Sequence, residues 1–354
     1  MNPIPANILC AAELLEGTQL INGWTVLSKV PNLPNSTGGN FSVPYFVERQ
    51  EGTKVQRAFL KALNFRRLAA APDFARAVQE HIAAFNFERD TLNICKDKRL
   101  RRVATLLDAG EHRFPNNPLP VCYIIFELAH GDARRQLASL VTFDLAWTLR
   151  TLHQVCVAMN QLHTHGIAHQ DLKPSNVLFF EAFGAKVGDL GSADNFAEPA
   201  QSPRGSLGIA GDPSYAPPEL FYNEVSLDWK VRRLGCDLYL LGSIVVFFFT
   251  GGASMTGLLQ SKVPPSHSPV AWQHDYRSVL PYIRDAFEQA LDDIKPSIPP
   301  SVQGPVTNII RCLCEPDPRR RGHPSENPTS QFGLERIISA FDLLASKVEY
   351  GLLE

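Results

Sequence analysis

Residues 163–180, HTHGIAHQDLKPSNVLFF, place Asp171, Lys173 and Asn176 in one short polar loop between two apolar runs. A carboxylate can take the proton of an incoming hydroxyl, an ammonium two residues on can neutralise charge on a moving phosphoryl group, and an amide oxygen further along can hold a metal ion. This spacing meets the needs of phosphoryl transfer. The competing reading is a solvated turn that carries the same three residues by accident, since short motifs match by chance. The elements that surround the loop have to decide.

A chain of 354 residues with 44% hydrophobic side chains can fill two packed lobes. The net charge of -2 gives no argument for a nucleic-acid or anionic-membrane surface. The 7 cysteines are scattered and odd in number, and Cys312 and Cys314 stand one residue apart where a zinc knuckle uses two or more. Reduced thiols in a cytoplasmic protein are expected. The N-terminal residues lack the basic region and apolar core of a signal peptide, so secretion is not expected. Residues 238–261 carry no charge and are long enough to be tested as a membrane span. Gly251-Gly252 interrupts them, Ser, Thr and Gly fill the second half and Asp237 opens them, so a buried central helix is expected and no membrane.

From Trp24 the pattern is strand-like: WTVLSKV, FSVPYFVER and VQRAFLKALNF, separated by turn residues, predict three antiparallel strands. A helix is predicted over 68–89, then two more strands, RVATLLDAG and VCYIIFELA. Beyond about Asp132 long helical patterns take over. They predict an amphipathic helix over 143–165 with Trp147, Leu152, Val155, Met159 and Leu162 on one side. A short strand pair from VLFF and AKVGDL follows, then the buried helix after Asp237, and further helices near 276–293, 306–314 and 334–348.

Taken in this order, the residues resemble the eukaryotic-like (Hanks-type) protein kinases over about 24–341. His169-Gln170-Asp171-Leu172-Lys173-Pro174-Ser175-Asn176 is similar to the family's catalytic loop HRDLKPxN, which implies Asp171 as general base, Lys173 as γ-phosphate contact and Asn176 as magnesium ligand. The lysine two residues after the aspartate is similar to the serine/threonine branch. Asp189-Leu190-Gly191 resembles the metal-binding DFG, with Asp189 as the second magnesium ligand. Lys61 stands where the family keeps its phosphate-binding lysine. Glu88, followed by Leu92 at i+4, is the expected helix partner, and Glu80 the alternative. Gly38 and Gly39 align with the glycine-rich phosphate turn, Phe126 with the gatekeeper, and Glu127 and Ala129 with the backbone contacts to the base. Residues 211–219, GDPSYAPPE, resemble the end of the activation segment. Glu219 is expected to pair with Arg321, and Asp237 to hold the catalytic loop's backbone or to cap its own helix.

The chain departs from the family pattern at several places. Only one glycine of the phosphate turn survives. Phe59, on the Lys61 face by strand alternation, replaces a small alanine against the base, and Pro44 replaces a valine. The Phe59 ring either narrows the base site or is displaced by a bulge. Gln170 replaces the arginine that pairs with a phosphorylated activation segment in the family, so phosphorylation between Ser192 and Ser206 is not expected to be the switch. His163, His165 and His169 fall on structural histidines of the family pattern, which disfavours a metal site there.

The resemblance implies an α+β, bilobal protein-kinase-like fold: a lead over 1–22, a small antiparallel-sheet N-lobe with one main helix over 23–131, and a large mainly helical C-lobe over 132–354. It also implies ATP and Mg2+ as cofactors and a protein substrate. With no sensor domain or anchor in the sequence, any activating signal is expected through a separate regulatory partner or on the kinase body. Two rivals stand beside this reading. A pseudokinase scaffold would not require Lys61, Asp171, Asn176 and Asp189 together. A kinase-like small-molecule phosphotransferase generally lacks a GDPSYAPPE-type segment.

Overall fold

The computed structural model describes residues 10–31, 42–66, 68, 71–115, 117, 119–197, 211–323 and 331–353. The chain divides into two compact units, Met1–His130 and Gly131–Glu354.

The first unit is built on five antiparallel strands: β1 (Trp24–Lys29), β2 (Ser42–Glu51), β3 (Lys54–Leu63), β4 (Leu106–His112) and β5 (Val121–Glu127), in the order β1-β2-β3-β5-β4. Side chains alternate between faces with period two. Tyr45, Val47, Ala58, Leu60, Ala62, Tyr123 and Ile125 therefore share one buried face with Trp24 and Val26. Ala11, Ala12, Leu15 and Leu20 pack into that same core, and the Tyr45 hydroxyl donates to the Ala12 carbonyl at 2.7 Å. Residues 11–20 thus take part in the sheet's packing. Phe59 and Lys61 point the other way, into half-buried positions.

The main helix of this unit, α1 (Phe74–Asp97), starts later and ends later than the expected 68–89. Pro72 disfavours helical backbone at the residue before it, and Asp73 then caps the helix by accepting from the Arg76 N–H at 3.0 Å. The far end continues because Thr91, Leu92 and Cys95 are buried on the same side as Glu88.

The second unit contains β6 (Gly131–Asp132), α2 (Ala133–Ser139), α3 (Leu145–His163), β7 (Ile167–Ala168), β8 (Val177–Phe180), β9 (Gly184–Val187), β10 (Asp194–Asn195), α4 (Pro218–Phe221), α5 (Gly235–Thr250), α6 (Met255–Lys262), α7 (Tyr276–Ile294), α8 (Gln303–Leu313) and α9 (Glu335–Glu349). Small sheets β6-β8-β9 and β7-β10 frame the loop of interest. Asp144 caps α3 through the Trp147 N–H, which trims the expected 143–165 at its start.

Among the described residues one helical stretch, Lys230–Thr250, has the length and hydropathy of a membrane span. Its residues from Gly235 to Phe249 are all buried, as suits a helix that is apolar all round at the centre of a core. The uncharged run 238–261 is two helices: α5 ends at Gly251, where φ is 73°, and Ser254 caps α6. Short helices α2, α4 and α6 escaped the sequence reading because each has too few residues for periodicity to show.

Candidate active site

The loop after β7 is held by α5. Asp237, fully buried, accepts from the backbone N–H groups of His169 (2.7 Å) and Gln170 (2.8 Å) and from Gln170 Nε2 (2.9 Å), and it lies 2.9 Å from His163 Nε2. Burial opposes its charge, yet the His163 bond, the nearby His163 and His169 rings and the Gln170 N–H outweigh it and keep its carboxyl below the usual aspartate range. Asp237 sits in the first turn of α5 and makes no cap bond, so its role is to grip the loop. These contacts hold Gln170 at φ 63°, a backbone conformation that non-glycine residues avoid.

That fixed backbone presents Asp171. Asp171 is buried, and its carboxylate accepts from Lys173 Nζ at 3.0 and 3.2 Å and from the Asp212 N–H at 2.9 Å. Burial pushes its carboxyl above the usual range; Lys173 partly offsets this and the Asp189 charge adds to it. Asn176 Nδ2 donates to the Asp171 carbonyl at 2.8 Å. The Asn176 carbonyl in turn accepts from the Gly188 N–H at 2.9 Å. His169 Nε2 meets the Gly188 carbonyl at 3.1 Å, while its Nδ1 accepts from the Asp171 N–H at 3.3 Å. Asp189 follows Gly188 directly, exposed and at φ 63°. Leu190, in the position of the family's phenylalanine, is fully buried.

The Asn176 amide and the Asp189 carboxylate offer hard oxygen donors, which suits magnesium, a cation that binds through few protein oxygens and takes phosphate oxygens and waters besides. Among the described residues no group of three or more His, Cys, Asp or Glu gathers into a metal site. The three loop histidines are used separately: His163 on Asp237, His169 on Gly188, and His165 on the Gln161 carbonyl at 2.8 Å.

Two features of this site escaped the sequence reading. Gly211, at φ 75°, lets the segment touch the loop: a Cβ there would lie 2.6 Å from both Asp171 Oδ1 and the Gln170 carbonyl. Arg233 and Asp194, both buried, stand beside Gln170 with Arg233 Nε 2.6 Å from Asp194 Oδ2. The only sequence signal for either is the glycine at the head of GDPSYAPPE.

Further from the loop, Glu219 and Arg321 form a bidentate pair at 2.8 and 2.9 Å, with the Arg321 guanidinium fully buried and also bonded to the Glu315 and Gly235 carbonyls.

In the first unit, Lys61 Nζ lies 2.9 and 3.1 Å from the carboxylate oxygens of Glu88, which is buried on α1. Glu80 instead takes Arg76 on the helix surface at 2.9 Å. The β2–β3 and β3–β5 registers run without interruption through Phe59, which pairs with Phe126 across the strands at a ring separation of 6.5 Å. No bulge displaces Phe59, so its ring stays on the Lys61 face. Glu127 is tied to Thr105, its N–H to the Thr105 carbonyl at 3.1 Å and its carboxylate from the Thr105 N–H at 2.7 Å. Ala129 lies two residues on, near the end of the unit. Gly38 and Gly39 lie outside the described residues.

Residues 90–332 match the model of the protein kinase domain. The match opens inside α1, so Lys61 and Glu88 stand on their geometry and not on that alignment. The chain is 32% identical over 139 residues to the serine/threonine-protein kinase PknB of Mycolicibacterium smegmatis, covering 39% of this chain and 22% of that protein. It is 28% identical over 180 residues to PknB of Mycobacterium tuberculosis, covering 51% of this chain and 26% of that protein. It is also 28% identical over 233 residues to the serine/threonine-protein kinase Nek3 of Mus musculus, covering 53% and 44%. The chain therefore spans less than half the length of these curated relatives. The family match covers most of the chain, and it includes the Asp171 loop, Asp189, Asp237 and the Glu219–Arg321 pair; the chain belongs to the protein kinase domain family.

Proposed function

We propose that the protein is a serine/threonine protein kinase that transfers the γ-phosphoryl group of ATP to a protein hydroxyl. The observation that carries this reading is the state of Asp171: buried, fixed by Lys173 and the Asp212 N–H, and with a carboxyl raised above the usual range. A raised base is better matched to taking a proton from a hydroxyl at neutral pH. Asp171 accepts that proton as the hydroxyl oxygen bonds to the γ-phosphorus and the bond to the β,γ-bridging oxygen breaks, leaving ADP. Lys173 stands beside the developing charge, and Lys61, oriented by Glu88, contacts the nucleotide phosphates. Asn176 and Asp189 would hold Mg2+, which would supply positive charge to neutralise the ATP phosphates. Glu127 and Ala129 contact the base through their backbones, with Phe59 narrowing the space available to it. By resemblance to the family's glycine turn, Gly38 and Gly39 would cover the phosphates.

All seven cysteines are free thiols, which supports a cytoplasmic setting. A separate regulatory partner fits the same reading. Nothing in the site favours the scaffold reading, because the four residues that chemistry needs are all present. Labelled ATP with Mg2+ and a generic protein substrate tests the proposal, with Asp171→Asn beside the wild type. Incorporation is expected in the wild type and a loss of about 10²–10⁴-fold in the variant; equal incorporation in both would remove Asp171 from its role.

A further inference from the structure

We propose that Asp194 and Arg233 are positioning residues: a buried ion pair that, through Gln170, holds the segment carrying Asp189 in place against the loop carrying Asp171. The inference rests on the kinase reading for its catalytic consequence, but the contacts stand without it. Asp194, 1% exposed, lies five residues past Asp189 in β10, where it pairs with Ala168 of β7, the residue before His169. Its Oδ2 lies 2.6 Å from Arg233 Nε, and its Oδ1 accepts from Trp229 Nε1 at 3.4 Å. Phe196 adds a backbone bond from its N–H to the Gly166 carbonyl at 2.8 Å and an edge contact to Trp229 at 5.2 Å.

Arg233 also binds the catalytic loop. Its Nη1 donates to Gln170 Oε1 at 3.1 Å, and Gln170 Nε2 donates to the Arg233 carbonyl and to Asp237 Oδ1, both at 2.9 Å. The π turn Lys230–Leu234, closed by the Gly235 N–H on the Lys230 carbonyl, sets Arg233 just ahead of α5, four residues before Asp237. Gln170 therefore uses both ends of its amide, one as acceptor and one as donor, which explains why a neutral side chain stands here. An arginine at 170 would place a second guanidinium against Arg233. The cation next to the catalytic loop is supplied by Arg233, and its anion by a carboxylate already in the chain.

Burying two opposite charges has a large desolvation cost that an apolar pair of similar volume would avoid. What an apolar pair cannot supply is the charge contact between β10 and the π turn together with the directed hydrogen bonds from the π turn to Gln170. That contrast defines the test. The full chain is compared as wild type, Asp194→Asn, Arg233→Gln and the double variant Asp194→Leu/Arg233→Met, the last chosen to remain folded. The readouts are kcat, KM for ATP, melting temperature and amide hydrogen exchange over residues 188–197. Each variant that melts as a folded protein is expected to lose at least about 10-fold in kcat, with KM for ATP within about 3-fold, since misplacement by about 1 Å costs on the order of 10² in rate. Exchange over 188–197 is expected to lose protection while α3 and α5 keep theirs. Gln170→Arg is expected to lose activity and to regain part of it when combined with Arg233→Gln. A folded apolar double variant with wild-type kcat and wild-type protection overturns the inference. If the wild type itself incorporates no phosphate, the kinase reading falls. The exchange measurement then decides the pairing alone: lost protection sustains it and unchanged protection overturns it.

Discussion

At the scale of single residues, Asp171, the proposed base, is expected to set the pH behaviour. Its folded-state carboxyl is raised, by burial first and by Asp189 as well, with Lys173 opposing. A base must be ionised to act, so activity falls as pH drops through that raised value. The acidic limb of the kcat/KM profile is therefore expected above the ordinary aspartate value of about 3.9, and a limb at or below that value would contradict the burial argument. Stability runs the other way: a raised aspartate favours the folded state most below its unfolded pKa and gives up that contribution as pH rises through the folded one. Gln170 makes a second residue-scale prediction. Both ends of its amide are taken up by Arg233 and Asp237, and it carries no charge with which to bind a phosphate. Phosphatase treatment of the purified protein is expected to leave the phosphorylation rate within about twofold, less than the loss of one charge-assisted contact would cause.

At the scale of elements, the activation-segment end and the catalytic loop meet through backbone alone. The Asp212 N–H reaches Asp171 because Gly211 has no Cβ and takes φ 75°. Gly211→Ala would incur a left-handed penalty of about 1–2 kcal/mol and drive a methyl into the Asp171 carboxylate and the Gln170 carbonyl. The expected result is a loss of about 10² or more in kcat with a smaller change in KM for ATP, read from steady-state kinetics. A variant with wild-type kcat would show that the segment does not orient Asp171. The element boundaries that sequence missed have local causes. Pro72 and Asp73 delay α1, Gly251 splits the apolar run, and the π turn ahead of α5 has no periodic signature.

At the scale of the whole molecule, the second unit is tied together by Arg321, which is fully buried and joins Glu219 at the start of α4 to the chain around Glu315 and to Gly235 of α5. Removing one partner of a buried pair strands the other charge. Arg321→Ala is therefore expected to destabilise the folded state by about 3–5 kcal/mol, measured by denaturant unfolding. A change under about 1 kcal/mol, the range of an exposed pair, would show that the tie is dispensable.

The order of types along the chain, through its resemblance to the protein kinase family, was enough for the fold class and marked the loop whose chemistry is proposed. Alternating apolar residues specify the strands of the first unit, an all-apolar run specifies α5, and Asp171, Lys173 and Asn176 stand within one local turn whose spacing is legible in sequence. The pairing of Lys61 with Glu88 was also within reach, because the resemblance to the kinase family asks for a helix glutamate and Leu92 at i+4 of Glu88 fits the family's pattern. What only the tertiary structure decided are contacts between segments far apart in the chain, for which no local rule of spacing exists. The uninterrupted strand registers keep Phe59 on the Lys61 face, Gly211 admits the Asp212 N–H to Asp171, and Arg233 reaches both Asp194 and Gln170. Each depends on where packing brings two backbones together, and a charge in the sequence carries no mark of the partner it will be buried against.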